Sequence, residues 1–400
     1  MIQVEIIFIL SLGLIAYACL GYPAAIFLLS HLRARPVCKR DITPRVSIII
    51  AAYNEARDIA MKIEDTLALD YPAENLEIIV ASDGSTDGTD DIVRGYAHRG
   101  VILHRQHERL GKTMAQNSAV EASSGDVLVF TDATTRYRRD ALLKIVRSFA
   151  DPEVGCVSSQ LVYVDRSKTS VGGGCRSYWS YEEFLRESES RLGSLIGVTG
   201  CLYAVRRTSY TPLEQDMCSD FVIASEIHIK GLRTVDEREA VAIEDTNNRS
   251  RDEFRMRVRI MEQTMSALSR YREVLNIRRH GMFAFQMLSH KVLRYSVSAL
   301  LLVSLISNLV IVNQSGLYRI TTALQVAFYA SALAGWMLES VGARVGPLGL
   351  PYYFVLANAA IIVAFLKRIR GESHVVWEPL RENHANDQMA AARAGSGDIT

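Results

Sequence analysis

The chain has 400 residues, with 45 Lys+Arg against 44 Asp+Glu and a formal net charge of +1. A near-zero balance gives no basis for nucleic acid as a partner. Six scattered cysteines without a C-x-x-C pair argue against a zinc site or a disulfide framework and fit a reducing compartment.

The charge is unevenly spread. Ile6–Leu29, Tyr295–Tyr318, Ile320–Leu338 and Val345–Leu366 contain no Asp, Glu, Lys or Arg. About 20 apolar residues cover the ~30 Å hydrocarbon core of a bilayer, so each is long enough to be a membrane segment. The first lacks a basic leader, and Arg33, Arg35, Lys39 and Arg40 follow it. By the positive-inside rule it reads as an uncleaved anchor over residues 1–32 with its C-terminal end in the cytoplasm, not as a signal peptide. The charged region, residues 42–280, is then cytoplasmic, and the chain is expected to be multi-pass in the cell (inner) membrane.

Between these segments short apolar runs alternate with helical patterns. Val46–Ala51, Leu76–Ala81, Val101–His104 and Asp126–Thr131 read as strands. Helical signals cover residues 55–69, 88–97, 111–122 and 140–149. Buried strands alternating with helices predict an α/β domain with a mostly parallel sheet, whose ligands sit at the carboxyl ends of the strands. Beyond Phe149 the alternation loosens. Strands are expected at 156–164 and 201–205, and helices at 177–192, 220–231 and 252–271. Residues 281–293 mix Phe283, Phe285, Met287 and Leu288 with His290 and Lys291, and read either as a helix in the membrane interface or as the start of the next span. Residues 281–367 thus hold an interfacial helix and about three C-terminal membrane segments, and 368–400 a polar tail.

One conflict stands. Three C-terminal crossings would leave the chain outside, yet Lys367, Arg368, Arg370 and Arg381 follow the last segment. That segment also holds Gly346, Pro347, Gly349, Pro351 and Asn358, so it is open to a re-entrant or strongly tilted reading.

The strand ends are acidic: Tyr53-Asn54-Glu55 after the first, Asp83-Gly84-Ser85-Thr86-Asp87 after the second, Asp132-Ala133-Thr134 after the fourth. A carboxylate at the end of a buried strand needs a partner such as a ribose hydroxyl, a base or a divalent cation. Asp87 precedes Gly88 and Thr89 as a helix cap would.

The segments SIIIAAYNEA, IIVASDGSTDGT, GKTMAQNSAV and DVLVFTDATT, in this order and spacing, resemble family-two glycosyltransferases of the GT-A fold. The resemblance covers about residues 43–275, and the membrane layout is similar to that of the hyaluronan, chitin and cellulose synthase branch. It implies a Rossmann-like GT-A domain with one N-terminal and about three C-terminal membrane segments. It further implies a UDP-sugar donor held by Tyr53, Glu55 and Asp83, with Lys112 near the phosphates. Asp132 would be the first carboxylate of a metal-binding D-x-D motif holding Mg²⁺ or Mn²⁺, although Thr134 replaces the second. Cys218-Ser219-Asp220 is similar to the synthases' T-E-D motif, which makes Asp220 the expected catalytic base. Of the Q-x-x-R-W motif only Arg259 survives, a diphosphate contact by resemblance, while Ile260 stands where the Trp would be. The implied activity is inverting transfer of a sugar to a lipid-linked or glycan acceptor beside membrane lipids. The alternatives are a processive exopolysaccharide synthase and a catalytically silent nucleotide-sugar binder.

Overall fold

The computed structural model describes residues 1–164, 170–246, 249–341, 343 and 345–371. The chain starts with helices α1 (Ile2–Ala16) and α2 (Tyr22–Leu32), joined without a break by a π-helical turn. The sheet region follows: β1 (Val46–Ala52), α3 (Ile59–Leu67), β2 (Leu76–Ser82), α4 (Thr89–Gly95), β3 (Val101–Arg105), α5 (Lys112–Ala122), β4 (Val127–Asp132), β5 (Arg136–Tyr137), α6 (Ala141–Val146) and β6 (Val154–Val164). Next come α7 (Ser170–Leu192), β7 (Leu202–Arg206), α8 (Ser219–Ile229), β8 (Arg233–Asp245) and α9 (Ser250–Arg270). The chain closes with α10 (Ile277–Gln286), α11 (Arg294–Ile311), α12 (Gly316–Ser340) and α13 (Gly349–Ile369).

The eight strands form one sheet in the order β3-β2-β1-β4-β7-β6-β8-β5. β1 pairs in parallel with both β2 and β4, and β2 with β3. β7 enters antiparallel between β4 and β6, and β6 then pairs in parallel with β8. This is the mostly parallel sheet that the apolar runs predicted. Every residue of β1 is buried, as a central strand covered on both faces requires. Ile48, Ile50, Val80, Val129 and Ala204 pack toward α3 and α6; Ile49, Ile79, Leu128, Phe130 and Tyr203 pack toward α5 and α8.

Three local differences from the sequence reading have physical causes. The helix expected from Glu55 begins only at Ile59, because the amides of Asn54, Glu55 and Ala56 bond instead to Ser85 Oγ, Thr89 Oγ1 and Asp87 Oδ2 of the next strand's loop. Strand β8 carries Asp236, Glu237, Arg238 and Glu239 in its first half, which masks its alternation. In the fold Glu237 is paired with Arg147 and Lys39. Residues 281–293 are not one regular helix: Gly281 breaks α10 at φ 50°, and a π-helical stretch, Met287–Leu293, leads into α11.

Among the described residues four helical segments are long and apolar enough to cross a membrane: Ile2–Leu32, Ile277–Ile311, Gly316–Ser340 and Gly346–Ile369. The first two pack together. The Tyr17 hydroxyl of the first lies 3.1 Å from Ser289 Oγ of the second, and the first also reaches the third segment, where the Phe8 ring meets Tyr318 edge-on at 5.9 Å.

Candidate active site

The carboxyl ends of β1, β2 and β4 bring the acidic loops to one edge of the sheet. Asn54 adopts a left-handed backbone (φ 53°), a conformation Asn tolerates better than most residues. Its side-chain oxygen accepts from the Thr86 amide at 2.8 Å, stitching the β1 and β2 loops together. Asp87 accepts from the Thr89 and Ala56 amides, both at 3.0 Å, so it serves the start of α4 and the neighbouring loop at once.

Tyr53, Glu55 and Asp83 share this side of the edge. Arg109 stacks its guanidinium over the Tyr53 ring at 3.8 Å. The Asp83 carboxylate accepts from the Leu110 amide at 2.8 Å and the Gly111 amide at 2.9 Å, and so holds the loop that opens α5. Burial pushes its pKa up, opposed by those two amides and by Arg109.

Lys112, Asp132, Asp220 and Arg259 converge separately, on a cavity of about 360 Å³. Lys112, the first residue of α5, places its ammonium 2.5 Å from Asp132 Oδ1 at the end of β4. Burial lowers the pKa of Arg259, opposed by Cys218, Asp132 and Asp220. Tyr53, Glu55 and Asp83 do not line this cavity; they flank it across the Gly111–Lys112 step.

Asp220 is the second residue of α8, where the helix dipole favours an anion. It does not cap the helix: Cys218 holds that position. The Cys218 thiol donates to Asp220 Oδ1 at 2.6 Å. A Cβ on Gly200 would lie 2.8 Å from Asp220 Oδ2, so only glycine leaves the carboxylate room. The segment before α8 is fastened to α5: Thr113 Oγ1 donates to the Met217 carbonyl at 2.9 Å, and Asn117 Nδ2 to that of Leu213 at 2.6 Å.

Three features escaped the sequence reading. Lys62 on α3 is buried behind the Asp132 turn, donating to Thr131 Oγ1 at 2.8 Å and the Thr135 carbonyl at 2.6 Å, with the Tyr137 ring 3.9 Å away. Burial lowers its pKa to about 7, against the pull of Asp132. Nothing in a lone lysine of an amphipathic helix signals this. Second, Glu182 and Glu189 on α7 clasp His290: Glu182 Oε1 lies 3.0 Å from Nε2 and Glu189 Oε1 2.7 Å from Nδ1. Arg294 adds a bond to Glu182 at 2.7 Å and Tyr22 one to Glu189 at 2.5 Å. The seven-residue spacing of the two glutamates, one face of a helix, was the available signal. Third, the cavity wall holds Trp179, whose indole N–H donates to the Leu161 carbonyl at 2.8 Å.

Among the described residues no three His, Cys, Asp or Glu side chains gather to cage a metal ion unaided. One carboxylate, that of Asp132, is compatible with Mg²⁺, which commonly takes one or two carboxylates and completes its shell with phosphate oxygens and water, and binding would exchange the carboxylate's pairing with Lys112 for the ion.

The sequence model of Glycosyl transferase family 2 matches residues 47–211, from β1 to the segment after β7. This stretch is a family-two glycosyltransferase domain. The chain is 26% identical over 210 residues to poly-beta-1,6-N-acetyl-D-glucosamine synthase of Staphylococcus aureus, covering 50% of each protein. It is 30% identical over 177 residues to N-acetylglucosaminyltransferase of Azorhizobium caulinodans, covering 43% of this chain and 44% of that one. It therefore spans about half the length of the curated relatives it matches. Its fold matches that of the mannosyltransferase PcManGT from Pyrobaculum calidifontis, solved with GDP-Man and Mn²⁺, at a TM-score of 0.69 and 23% identity, over 92% of this chain and 100% of that one. The domain has the GT-A fold expected from its motifs.

Proposed function

We propose that the chain is an inverting membrane glycosyltransferase that moves one sugar from a UDP-sugar to a lipid-linked or glycan acceptor. The observation that carries this reading is one cavity lined both by Asp220 and by the Lys112–Asp132 pair with Arg259. A proton acceptor and a cationic diphosphate site thus face the same space, and the cavity runs on to His290, Lys291, Arg294 and Tyr295 at the foot of the membrane helices.

In this reading Asp220 takes the proton of the acceptor hydroxyl as its oxygen bonds to the anomeric carbon. The bond from that carbon to the diphosphate breaks on the opposite face, and UDP leaves with the electron pair. Lys112 and Arg259 stabilise the charge that develops on the diphosphate. Asp132 would hold Mg²⁺ or Mn²⁺, which supplies Lewis-acid charge there. Tyr53, Glu55 and Asp83 shape the nucleoside end. The domain lies on the cytoplasmic side of the inner membrane, as the basic residues after the anchor favour.

The Asp220→Asn variant tests the reading. It should abolish sugar transfer while UDP binding stays within about threefold; retained turnover removes Asp220 as the base. A second reading, processive polysaccharide synthesis, draws support from the named activity of the Staphylococcus aureus relative and from Trp179 in the cavity wall. Product length from purified protein with UDP-sugars separates the two.

A further inference from the structure

We infer that the last apolar helix, Gly346–Ile369, does not cross the bilayer: it lies along α9 at the membrane boundary, its outer face on the lipid headgroup layer, and returns Gly371 to the side of the catalytic domain. Length and hydropathy alone put this segment among the membrane-crossing candidates. Its first turns pack on α12, where Gly335 meets Leu348 and Tyr352 and the Phe328 ring lies 5.8 Å from that of Phe354, but its contacts with α9 oppose a crossing.

Helix α13 runs parallel to α9 over most of its length. At one end Tyr353 donates to Glu253 Oε1 at 2.7 Å and bonds to Arg257, whose guanidinium lies 4.8 Å from the Tyr353 ring. In the middle Val258 packs against Ala360 and Ala364. At the other end Lys367 pairs with Glu262 at 3.4 Å, and Arg368 donates to Ser269 at 2.9 Å. From Tyr353 to Arg368 this shared course is about 22 Å at ~1.5 Å per residue. The start of α13 is also clamped to α7: a Cβ on Gly174 would lie 2.9 Å from the Tyr353 side chain, so glycine permits the approach.

Helix α9 is not a membrane element. It carries Arg251, Asp252, Glu253, Arg255, Arg257, Arg259, Glu262 and Arg270. Met256, Arg259 and Ile260 line the catalytic cavity, and Arg270 pairs with Glu214 and Asp216 of the segment before α8. A bilayer spanned by α13 would have to enclose this charged helix and the Lys367–Glu262 pair, which hydrocarbon disfavours strongly.

The neighbouring helices fit three crossings. Glu339, at the end of α12, accepts from Ser250 Oγ at the start of α9, so α12 returns to the catalytic side. The turn between α11 and α12 lies at the far end, where Tyr318 meets Phe8. With Ile2–Leu32, Ile277–Ile311 and Gly316–Ser340 crossing, Lys367, Arg368 and Arg370 fall on the same side as Arg33, Arg35, Lys39 and Arg40. The conflict between span count and the positive-inside rule disappears. The exposed Leu350, Phe365, Leu366 and Ile369, with basic residues interleaved at the last turn, suit an anionic headgroup layer continuous with the three crossing helices.

Thiol labelling of the full chain in sealed vesicles tests this. Cys38 is exposed just past the anchor and marks the catalytic side. In a Cys38→Ser background, Gln314→Cys marks the opposite side and Arg370→Cys reports the helix end. A membrane-impermeant maleimide should label Arg370→Cys from the same face as Cys38, with Gln314→Cys labelled only from the other. Labelling of Arg370→Cys from the Gln314→Cys face would establish a fourth crossing and overturn the inference. Neither outcome depends on sugar transfer.

Discussion

The thiol of Cys218 donates to Asp220 Oδ1 at 2.6 Å, while Gly200 leaves room for Oδ2 on the other side. The proposed base is thereby fixed by a residue two positions before it and by the absence of a side chain twenty positions before it. One carboxylate oxygen is occupied within the protein, which leaves the other to meet an acceptor hydroxyl.

Cys218→Ala should therefore lower kcat with little change in donor KM. A single hydrogen bond of about 1 kcal/mol corresponds to roughly a fivefold loss. Cys218→Ser, which keeps a donor, should recover most of it. Gly200→Ala should cost more, because its Cβ would press on the carboxylate itself. Steady-state kinetics of the three variants check this. Equal losses for Ala and Ser at position 218 would show that the contact does not position the base.

Lys62 has a stability signature that pH can read. Its folded pKa, lowered by burial to about 7, lies below its ordinary 10.5. Between those values the unfolded chain binds the proton more readily than the folded one, so this group's contribution to stability rises with pH across that window. The slope has a ceiling of about 1.4 kcal/mol per pH unit. Lys62→Met removes the term, so denaturant midpoints of the two proteins should diverge from pH 7 upward, with the wild type gaining. Parallel curves would mean that the buried amine keeps its proton.

The sheet core and the strand-end loops were legible in the sequence because short apolar runs, acidic turns and helix signals all agreed there. Strand β8 was not, because its charges are satisfied by Arg147 and Lys39, which are distant in sequence. Lys112, Asp132, Asp220 and Arg259 could be named from motifs, and they do share a cavity. Their separation from Tyr53, Glu55 and Asp83 could not be read, since it depends on how the Gly111 loop folds over Asp83. The glutamate clasp on His290 depends on helices about 100 residues apart, which local pattern cannot join.

That clasp ties the membrane helices to the domain. Glu182 on α7 meets His290 and Arg294, and Glu189 meets His290 and Tyr22. Removing one partner of a buried ionic cluster leaves the others uncompensated, at about 3–5 kcal/mol. Glu182→Ala should therefore lower the thermal midpoint in detergent well beyond Glu182→Gln, which keeps the shape and part of the bonding. Because the cluster is buried, added salt should not erase the difference. Midpoints equal to that of the wild type in both variants would assign the cluster no role in stability.

The last question is where an acceptor sugar rests. On α9 the position expected for a stacking Trp is Ile260, and it lines the cavity. The aromatic surface comes instead from α7, where Trp179 is held by its bond to Leu161 and by the edge of Tyr163, with ring centroids 5.6 Å apart. If acceptor sugars rest on Trp179, Trp179→Ala should raise acceptor KM by roughly 2- to 12-fold, the worth of one aromatic contact of ~0.5–1.5 kcal/mol, and spare kcat. Ile260→Trp adds a second platform beside Arg259 and should lengthen the products relative to those of the wild type. Mass analysis of products from the two variants checks both parts. Unchanged product length in Ile260→Trp, with unchanged acceptor KM in Trp179→Ala, would place the acceptor outside this cavity wall.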